Sequence, residues 1–419
     1  MIILTFWTDF RSCEQGVFSL SSKVQTASKV AFVHDWLVTY RGGEKVLAEL
    51  LKLFPNAPIY TLFYDPDAMP DNINMHPIHL PGNVNRFRKW RKAMLPLLPS
   101  LIESFDLSDY DLVISTSSCV AKGVIPGPGA VHVSYIHSPM RYIWDQKKFY
   151  LSSLRKIPGI HLAIEILSSY LRSWDYTSNH RVDFFAANSH FVKDRIKRFY
   201  NRDATVIHPP VTLNVATAEV SQKLLEHRKQ KGPYFIIAGA FVSYKRFDLA
   251  IKACKLAKAR LVIAGSGPEE KNLRTLADGK NCEFFIKPAA EHWQSLLAGA
   301  EAFLFPGVED FGITPVEALA LGTPIIAFAR GGALDFVTEN ETGTFFFEQT
   351  PEALADTIKA FAKASFDRAK LQAKAESFSR EVFIKKFQNL LSKATLDMKQ
   401  LPKNDVKDLR DLSKNRVKK

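Results

Sequence analysis

The sequence predicts an α/β protein of two domains, each a parallel sheet covered by helices, with a cleft between them. Three observations carry this. Short, nearly continuous apolar runs alternate with segments of helical periodicity, as expected of parallel strands buried on both faces. The alternation stops at a polar stretch near the middle of the chain and then restarts. The length of 419 residues also exceeds what one compact module usually holds.

In the first half the expected strands are Val30–His34, Ile59–Phe63, Asp111–Ser115, Val131–Ile136 and Phe184–Ala187. Between the first two, Val46, Leu47, Leu50, Leu51 and Phe54 recur at helical spacing within Glu44–Phe54, giving a β-α-β start. His208-Pro209-Pro210 and a charged stretch over about 216–232 mark a crossing between domains. The second series has strands Tyr234–Ala240, Arg260–Ala264, Glu283–Ile286, Ala302–Phe305 and Pro324–Ala327, with helices at Arg246–Ala257, Glu291–Ala298 and Pro315–Leu321. The resulting division is an unassigned extension at 1–28, a first domain at 29–212, a second at 213–395 and a charged tail at 396–419. In open α/β sheets ligands bind beyond the carboxyl ends of the strands, so two such sheets make the cleft between them the expected active site.

Composition narrows the partners. Hydrophobic residues at 46% exclude a chain disordered overall, and a formal charge of +13 favours anionic ligands such as phosphates or an acidic lipid surface. Cys13, Cys119, Cys254 and Cys282 form neither a Cys-x-x-Cys pair nor a dense disulfide pattern, which fits a reducing cytoplasm. No apolar run approaches the ~20 residues that span a bilayer, and the N-terminus has no basic residue ahead of Ile2-Ile3-Leu4, so neither a spanning helix nor a signal peptide is expected.

The most informative segment is Pro306-Gly307-Val308-Glu309-Asp310-Phe311-Gly312-Ile313-Thr314-Pro315-Val316-Glu317, which leaves a strand and opens a helix. Helix capping alone accounts for part of it, with Thr314 as N-cap, Pro315 at the first position, Glu317 closing a capping box and Gly322 past the end. Capping does not account for Glu309. A carboxylate and a glycine ahead of a helix N-terminus suit a polyhydroxylated phosphate ester, whose phosphates meet amide N–H groups while carboxylates hold hydroxyls.

Glu309-x7-Glu317 within Glu-Asp-Phe-Gly-Ile-Thr-Pro-Val-Glu-Ala-Leu resembles the signature of the retaining glycosyltransferase family 4, and similar segments run from His34-Asp35-Trp36 to Thr342-Gly343. The resemblance implies a GT-B arrangement of two Rossmann-like domains, the first for the acceptor and the second for the donor, with the last helix packing back on the first. It implies that Glu309 approaches the donor sugar and Glu317 the ribose, with Gly312, Ile313 and Thr314 in the donor site and no metal or other cofactor. Ser243-Tyr244-Lys245-Arg246 follows a strand of the second domain, and two cations at a helix start either sit in solvent or invite an anion. In the family, basic residues here bind the donor diphosphate. Lys245 matches, but Ala240 stands where an arginine is frequent, leaving Arg246 or another residue to supply the second charge.

Gly42-Gly43 after the first strand is either a plain strand-to-helix turn or a place of close backbone approach, and in the family such a loop closes over donor phosphate and acceptor. His137, in Tyr135-Ile136-His137-Ser138-Pro139-Met140-Arg141-Tyr142, leaves another strand on the cleft side, where a family histidine contacts the transferred sugar. Gly265 and Gly267 suffice for a turn, and by resemblance they also lie near the nucleotide. Asp65-Pro66-Asp67 and Asp109-Tyr110-Asp111 sit in turn contexts rather than as a metal clamp, and the histidines show no metal-ligand spacing along the chain.

The expected function is a cytoplasmic, metal-independent retaining glycosyltransferase using a nucleoside diphosphate sugar. His34-Asp35-Trp36-Leu37-Val38 and His137-Ser138-Pro139-Met140-Arg141-Tyr142 resemble bacterial mannosyltransferase-like members acting in lipid-linked surface polysaccharide synthesis, which favours GDP-mannose. The alternatives are a nucleotide-sugar epimerase or phosphorylase on a related frame, and a non-catalytic nucleotide-sugar-binding protein, for which Ala240 speaks. Arg86-Phe87-Arg88-Lys89-Trp90-Arg91-Lys92 mixes basic and aromatic residues, either as a solvated run or as a contact with an acidic membrane surface; no nucleic-acid module accompanies it.

Overall fold

The computed structural model describes residues 29–91, 93–145, 160–212, 232–277, 281–361 and 366–400. The extension at 1–28, nearly all of the crossing at 216–232, Lys92 and the tail from 401 lie outside the described residues.

The first sheet holds seven strands, β1 (Val30–His34), β2 (Ile59–Thr61), β3 (Ile78–His79), β4 (Leu112–Ser117), β5 (Val131–Ile136), β6 (Phe184–Ala187) and β7 (Ala204–Val206), in the order β3-β2-β1-β4-β5-β6-β7. The second holds six, β8 (Phe235–Ala240), β9 (Leu261–Ser266), β10 (Cys282–Ile286), β11 (Phe303–Phe305), β12 (Ile325–Phe328) and β13 (Gly343–Phe346), in the order β10-β9-β8-β11-β12-β13. All pairings between these strands are parallel. Every residue of β1, β4 and β5 is buried, which explains their unbroken apolar texture. The ten strands expected from the sequence are present. Strands β3, β7 and β13 are additional; each ends a sheet, and β3 and β7 have only two and three residues, too few for a periodic signal.

Each sheet starts in its middle, winds to one edge and returns to wind the other way. The strand order therefore reverses between β1 and β4 and again between β8 and β11. At such a reversal the loops leaving neighbouring strands diverge to opposite faces, and the crevice between them is where open sheets bind ligands.

The final helix, Arg380–Gln400, passes residue 395, the limit expected from the sequence; Pro402 is the first residue beyond it that a helix interior excludes. Although it follows the second domain in sequence, its Phe383, Phe387 and Leu391 are buried in the core beneath β1, β4 and β5. At about 2 kcal/mol for each buried side chain, this seat outweighs the half-exposed ion pair from Arg380 Nε to Glu49 Oε2 at 2.5 Å, a class contributing about 0–1 kcal/mol.

The helix Ile313–Ala320 corrects one reading. Its N-cap is Gly312, at φ +110°, and Thr314 lies inside the first turn with no capping hydrogen bond. Glycine alone enters this conformation without strain, so the chain turns into the helix two residues earlier than a Thr cap requires. Gly322, just past the end at φ +82°, terminates it as the sequence suggests. Similarly, Arg246 at φ +57° precedes the helix Phe247–Ala257 rather than opening it.

A polar layer crosses the first sheet. Fully buried His132 directs Nδ1 to the Arg181 carbonyl at 2.8 Å and Nε2 to Ser115 Oγ at 2.7 Å. Burial holds its imidazole down to about 4, so it stays neutral in the fold. The unfolded chain, titrating near 6.5, takes up the proton first on acidification. This contribution is intact above pH 6.5 and is lost as pH falls towards 4. Between pH 7.5 and 5.0, urea unfolding should lose about 2 kcal/mol through this residue, and His132→Asn should flatten the pH dependence by that amount; an unchanged slope in the variant would refute the assignment.

Candidate functional site

The carboxyl ends of the two sheets face each other across a cleft of about 670 Å³. Its walls come from the loops at both points of strand-order reversal. From the first domain they include His34, Asp35, Gly42, Gly43, Ser118, His137 and Arg141; from the second, Ala240, Lys245, Gly265, Glu309, Asp310, Gly312, Ile313 and Thr314.

Asp35, directly after β1, fixes the first wall. Its Oδ2 accepts from the backbone N–H groups of Ser118 at 2.6 Å and Cys119 at 2.9 Å, and its Oδ1 from those of Val120 at 2.8 Å and Ala121 at 2.7 Å. One buried carboxylate thus locks the loop after β4 to the end of β1. Beside it, His34 Nδ1 lies 2.6 Å from Thr116 Oγ1, and its Nε2 lies 3.8 Å from Glu44 Oε1. Burial pushes the Glu44 carboxyl up, but the contacts with His34 and the backbone N–H of Arg41 outweigh it and leave the group below its ordinary value. Glu44 therefore stays ionised and pins the helix Gly42–Leu51 at its first turn.

That helix start reaches the other domain. A Cβ placed on Gly42 would come within 2.8 Å of Ile313 Cδ1, so the glycine allows the first-domain loop to sit on the helix entrance opposite. His137 lies beneath this loop, with its Nε2 3.5 Å from where a Gly43 Cβ would be. Burial and the nearby His34 hold its imidazole down to about 3, with Glu44 opposing. It is a neutral ring. Its Nε2 is buried and has no hydrogen-bond partner, an expensive state that a ligand hydroxyl would relieve.

In the second domain, Lys245 Nζ lies 2.7 Å from both Glu309 Oε1 and Oε2, a forked pair joining the loop after β8 to the loop after β11. This pair straddles the second reversal point, beside the N-terminus of the helix Ile313–Ala320. Gly265 lines the cleft after β9, while Gly267 is packed behind it, where a Cβ would meet the Phe241 carbonyl at 2.6 Å. Glu317, one turn into the helix, is outside the lining. Burial pushes its carboxyl up, against the opposing influence of Lys45 and a hydrogen bond with Trp293. Arg246 also lies outside, its Nε 3.1 Å from Asp248 Oδ1 and its Nη2 3.3 Å from Oδ2.

Sequence reasoning assigned no role to Arg141, Arg195, Asp310 or Asp335. Asp310 belongs to the second domain, yet its Oδ2 accepts from Arg141 Nη2 and its Oδ1 from Arg195 Nη1 at 2.8 Å, both from the first. Asp335 makes a second bridge: its Oδ2 lies 2.9 Å from His208 Nε2, and its Oδ1 lies 3.2 Å from His190 Nδ1. His190, His208 and Asp335 thus gather into the one group of metal-ligating type found among the described residues, although their positions along the chain gave no metal-ligand spacing. Asp310 and Arg141 stood inside quoted motifs, but nothing local reveals a pairing across 169 positions. Of the two Asp-x-Asp strings, Asp65 pairs with Arg88 at 3.3 Å, and Asp111 accepts from the Lys29 backbone N–H at 3.0 Å.

Comparison with known proteins gives this geometry a lineage. The family model for Glycosyltransferase Family 4 matches residues 40–215, and that for glycosyl transferases group 1 matches residues 222–380. A GDP-mannose-dependent monoacylated alpha-(1-6)-phosphatidylinositol monomannoside mannosyltransferase of Corynebacterium glutamicum is 28% identical over 239 residues, covering 50% of this chain and 62% of that protein. The alpha-1,3/1,6-mannosyltransferase ALG2 of Debaryomyces hansenii is 27% identical over 253 residues, covering 47% and 53%. The chain spans about half the length of the curated relatives it matches. Among solved structures, Anabaena HepE in complex with UDP aligns with a TM-score of 0.62 at 16% identity, over 87% of this chain and 100% of that one. The sucrose-phosphate synthase of Thermosynechococcus elongatus aligns with a TM-score of 0.64 at 17% identity, over 88% and 100%. The two family models meet at the crossing between the two sheets and together cover most of the lining of the cleft, and the chain belongs to glycosyltransferase family 4, with the GT-B fold.

Proposed function

We propose that this protein transfers a hexosyl group, with mannose favoured, from a nucleoside diphosphate sugar to an acceptor hydroxyl, with retention at the anomeric carbon and without a divalent metal. The observation that carries the reading is the meeting, in one cleft, of the Lys245–Glu309 pair, the entrance to the helix Ile313–Ala320 and the unpartnered neutral His137.

The chemistry follows from placement. A donor diphosphate between Lys245 and the amide N–H groups around Ile313 and Thr314 has its charge met by groups already in position. Glu309 and His137 hold sugar hydroxyls, the histidine through an uncharged ring that can bond without adding a competing cation. As the bond from the anomeric carbon to phosphate oxygen breaks, the acceptor oxygen attacks from the same face and its proton passes to a phosphate oxygen. The protein orients and neutralises; no side chain becomes covalently attached. Closure of the domains excludes water that would otherwise hydrolyse the donor. GDP-mannose as donor is favoured by the names of the mannosyltransferase relatives, and a lipid-linked glycan acceptor fits the surface polysaccharide reading.

Attachment to an acidic membrane surface belongs to the same reading. Trp90 is 71% exposed and Phe87 42%, among Arg86, Arg88, Lys89 and Arg91. The helix Ile160–Thr177 presents Leu162 and Ile166 to solvent and shares a core cluster with Val84, Met94 and Leu95, which flank the basic segment. Cations beside unpartnered apolar side chains suit anionic headgroups. Among the described residues, no helix is long and apolar enough to cross a membrane.

Purified protein incubated with radiolabelled GDP-mannose, UDP-glucose and UDP-galactose and a cell-envelope lipid extract, with and without EDTA, tests the reading. Label should enter the lipid phase, preferentially from GDP-mannose and regardless of EDTA; interconversion of free sugar, or binding without turnover, would refute transfer. Lys245→Ala should lower transfer roughly 10²–10³-fold in a folded protein. Glu317→Gln should weaken nucleoside diphosphate binding, whereas Glu309→Gln should reduce transfer more than binding; equal effects on thermal stability alone would refute both roles. Neutralising Arg86, Lys89 and Arg91 together should reduce sedimentation with phosphatidylglycerol vesicles, and undiminished binding would remove the membrane assignment.

A further inference from the structure

A diphosphate carries two formal charges into the cleft, where the second domain offers Lys245, already paired with Glu309, and Lys287, which leaves the edge strand β10 two strands away from β8. Ala240, at the end of β8, lines the cleft and supplies no charge. Arg246, the nearest candidate in sequence, lies outside the lining and is occupied by Asp248. We propose that Arg141, from the opposite domain, is the second cation of the donor diphosphate site. This rests on reading the cleft as a donor site and goes beyond it by assigning a residue that reaches the phosphates from the first domain.

Position, freedom and charge support the assignment. Arg141 lines the same cleft as Lys245 and Ala240. Its guanidinium carbon lies 5.3 Å from the ring centroid of Tyr244, the residue before Lys245, and its Nη2 is bound to Asp310, the residue after Glu309. Arg141 is therefore held against the immediate neighbours of both members of the forked pair. Its side chain is 20% exposed, reachable from the cleft, whereas that of Arg195 is 5% exposed and enclosed. Arg141 Nε donates to Ser138 Oγ at 3.1 Å, and Nη1 makes no hydrogen bond among the described residues.

The surrounding cluster tolerates its release. Asp310 keeps Arg195 at 2.8 Å if Arg141 swings away, and Arg195 also holds Asp145 at 2.8 Å. Asp310 keeps one charged partner on Oδ1, and its Oδ2 gives up the other. An arginine fork meets two phosphate oxygens at once, which a lysine ammonium does not. Since Lys245 and Arg141 come from different domains, a diphosphate gripped by both draws the domains together, and donor binding favours the closed cleft.

The test is calorimetric titration of the full chain with GDP and UDP, using guanosine and uridine as phosphate-free controls. Arg141→Ala should weaken binding of the preferred diphosphate about 10- to 100-fold, the range for losing a charge-assisted hydrogen bond, while leaving nucleoside binding unaltered. Arg141→Lys should retain part of the affinity. Asp310→Asn, which frees Arg141 but keeps an amide oxygen for Arg195, should lose less affinity than Arg141→Ala, and Ala240→Arg combined with Arg141→Ala should recover affinity by returning a cation to the cleft. If Arg141 only fastens the domains together, Asp310→Asn will lose as much affinity as Arg141→Ala, and the proposal is overturned. Should Arg141→Ala fail to fold, Arg141→Lys against Asp310→Asn makes the same distinction. A parent protein that binds neither diphosphate ends the donor-site reading itself; a parent that binds, with Arg141→Ala equal to it, ends this inference alone.

Discussion

The interaction on which the site depends is the ion cluster between Asp310 and the two arginines of the facing domain. Asp310 is 4% exposed, and a carboxylate so removed from water is costly unless its lone pairs are met. Arg195 and Arg141 meet them, and both come from the first domain, so the satisfied state of Asp310 exists when the domains face each other as they do here. Glu309 is its immediate neighbour. The geometry of the Glu309 carboxylate is therefore tied to the relative position of two separately wound sheets.

The rest of the cleft follows the same division. Each sheet delivers its loops at the point where strand order reverses, and each wall is stiffened by a buried acid: Asp35 in the first domain, Asp310 in the second. Unmet capacity is also found at the gap itself. His137 keeps an unpartnered nitrogen, and the entrance to the helix Ile313–Ala320 opens towards Gly42. Satisfied polar groups hold the scaffold, and the unsatisfied His137 nitrogen stands where a ligand can meet it.

Two further features join the halves. The final helix returns to bury Phe383 and Phe387 in the first domain, a large apolar seat indifferent to salt. Asp335, bridged to His190 and His208, adds a polar contact between the halves, with His208 packed on Phe311 and Phe378. Burial pushes the Asp335 carboxyl up, but its histidine partners outweigh this and hold it below the ordinary range. Apolar burial sets the persistent connection, while the ionic contacts near the cleft are the ones a charged ligand can rearrange.

The sequence by itself determined the class, the number of sheets, ten of the strands and the motifs that end at the cleft, because buried parallel strands leave unbroken apolar runs and helix entrances leave glycine and carboxylate signatures. It also singled out Lys245, Glu309 and His137, each within a few residues of the end of its strand. Tertiary structure decided what no local pattern encodes. Arg246 pairs with Asp248 and lies outside the cleft lining. Thr314 gave up the cap to Gly312, and Glu317 settled against Trp293. Arg141, Arg195 and Asp310 became partners through the docking of two domains, and pairings between residues 115 to 169 positions apart are fixed by that docking rather than by anything in the neighbouring chain.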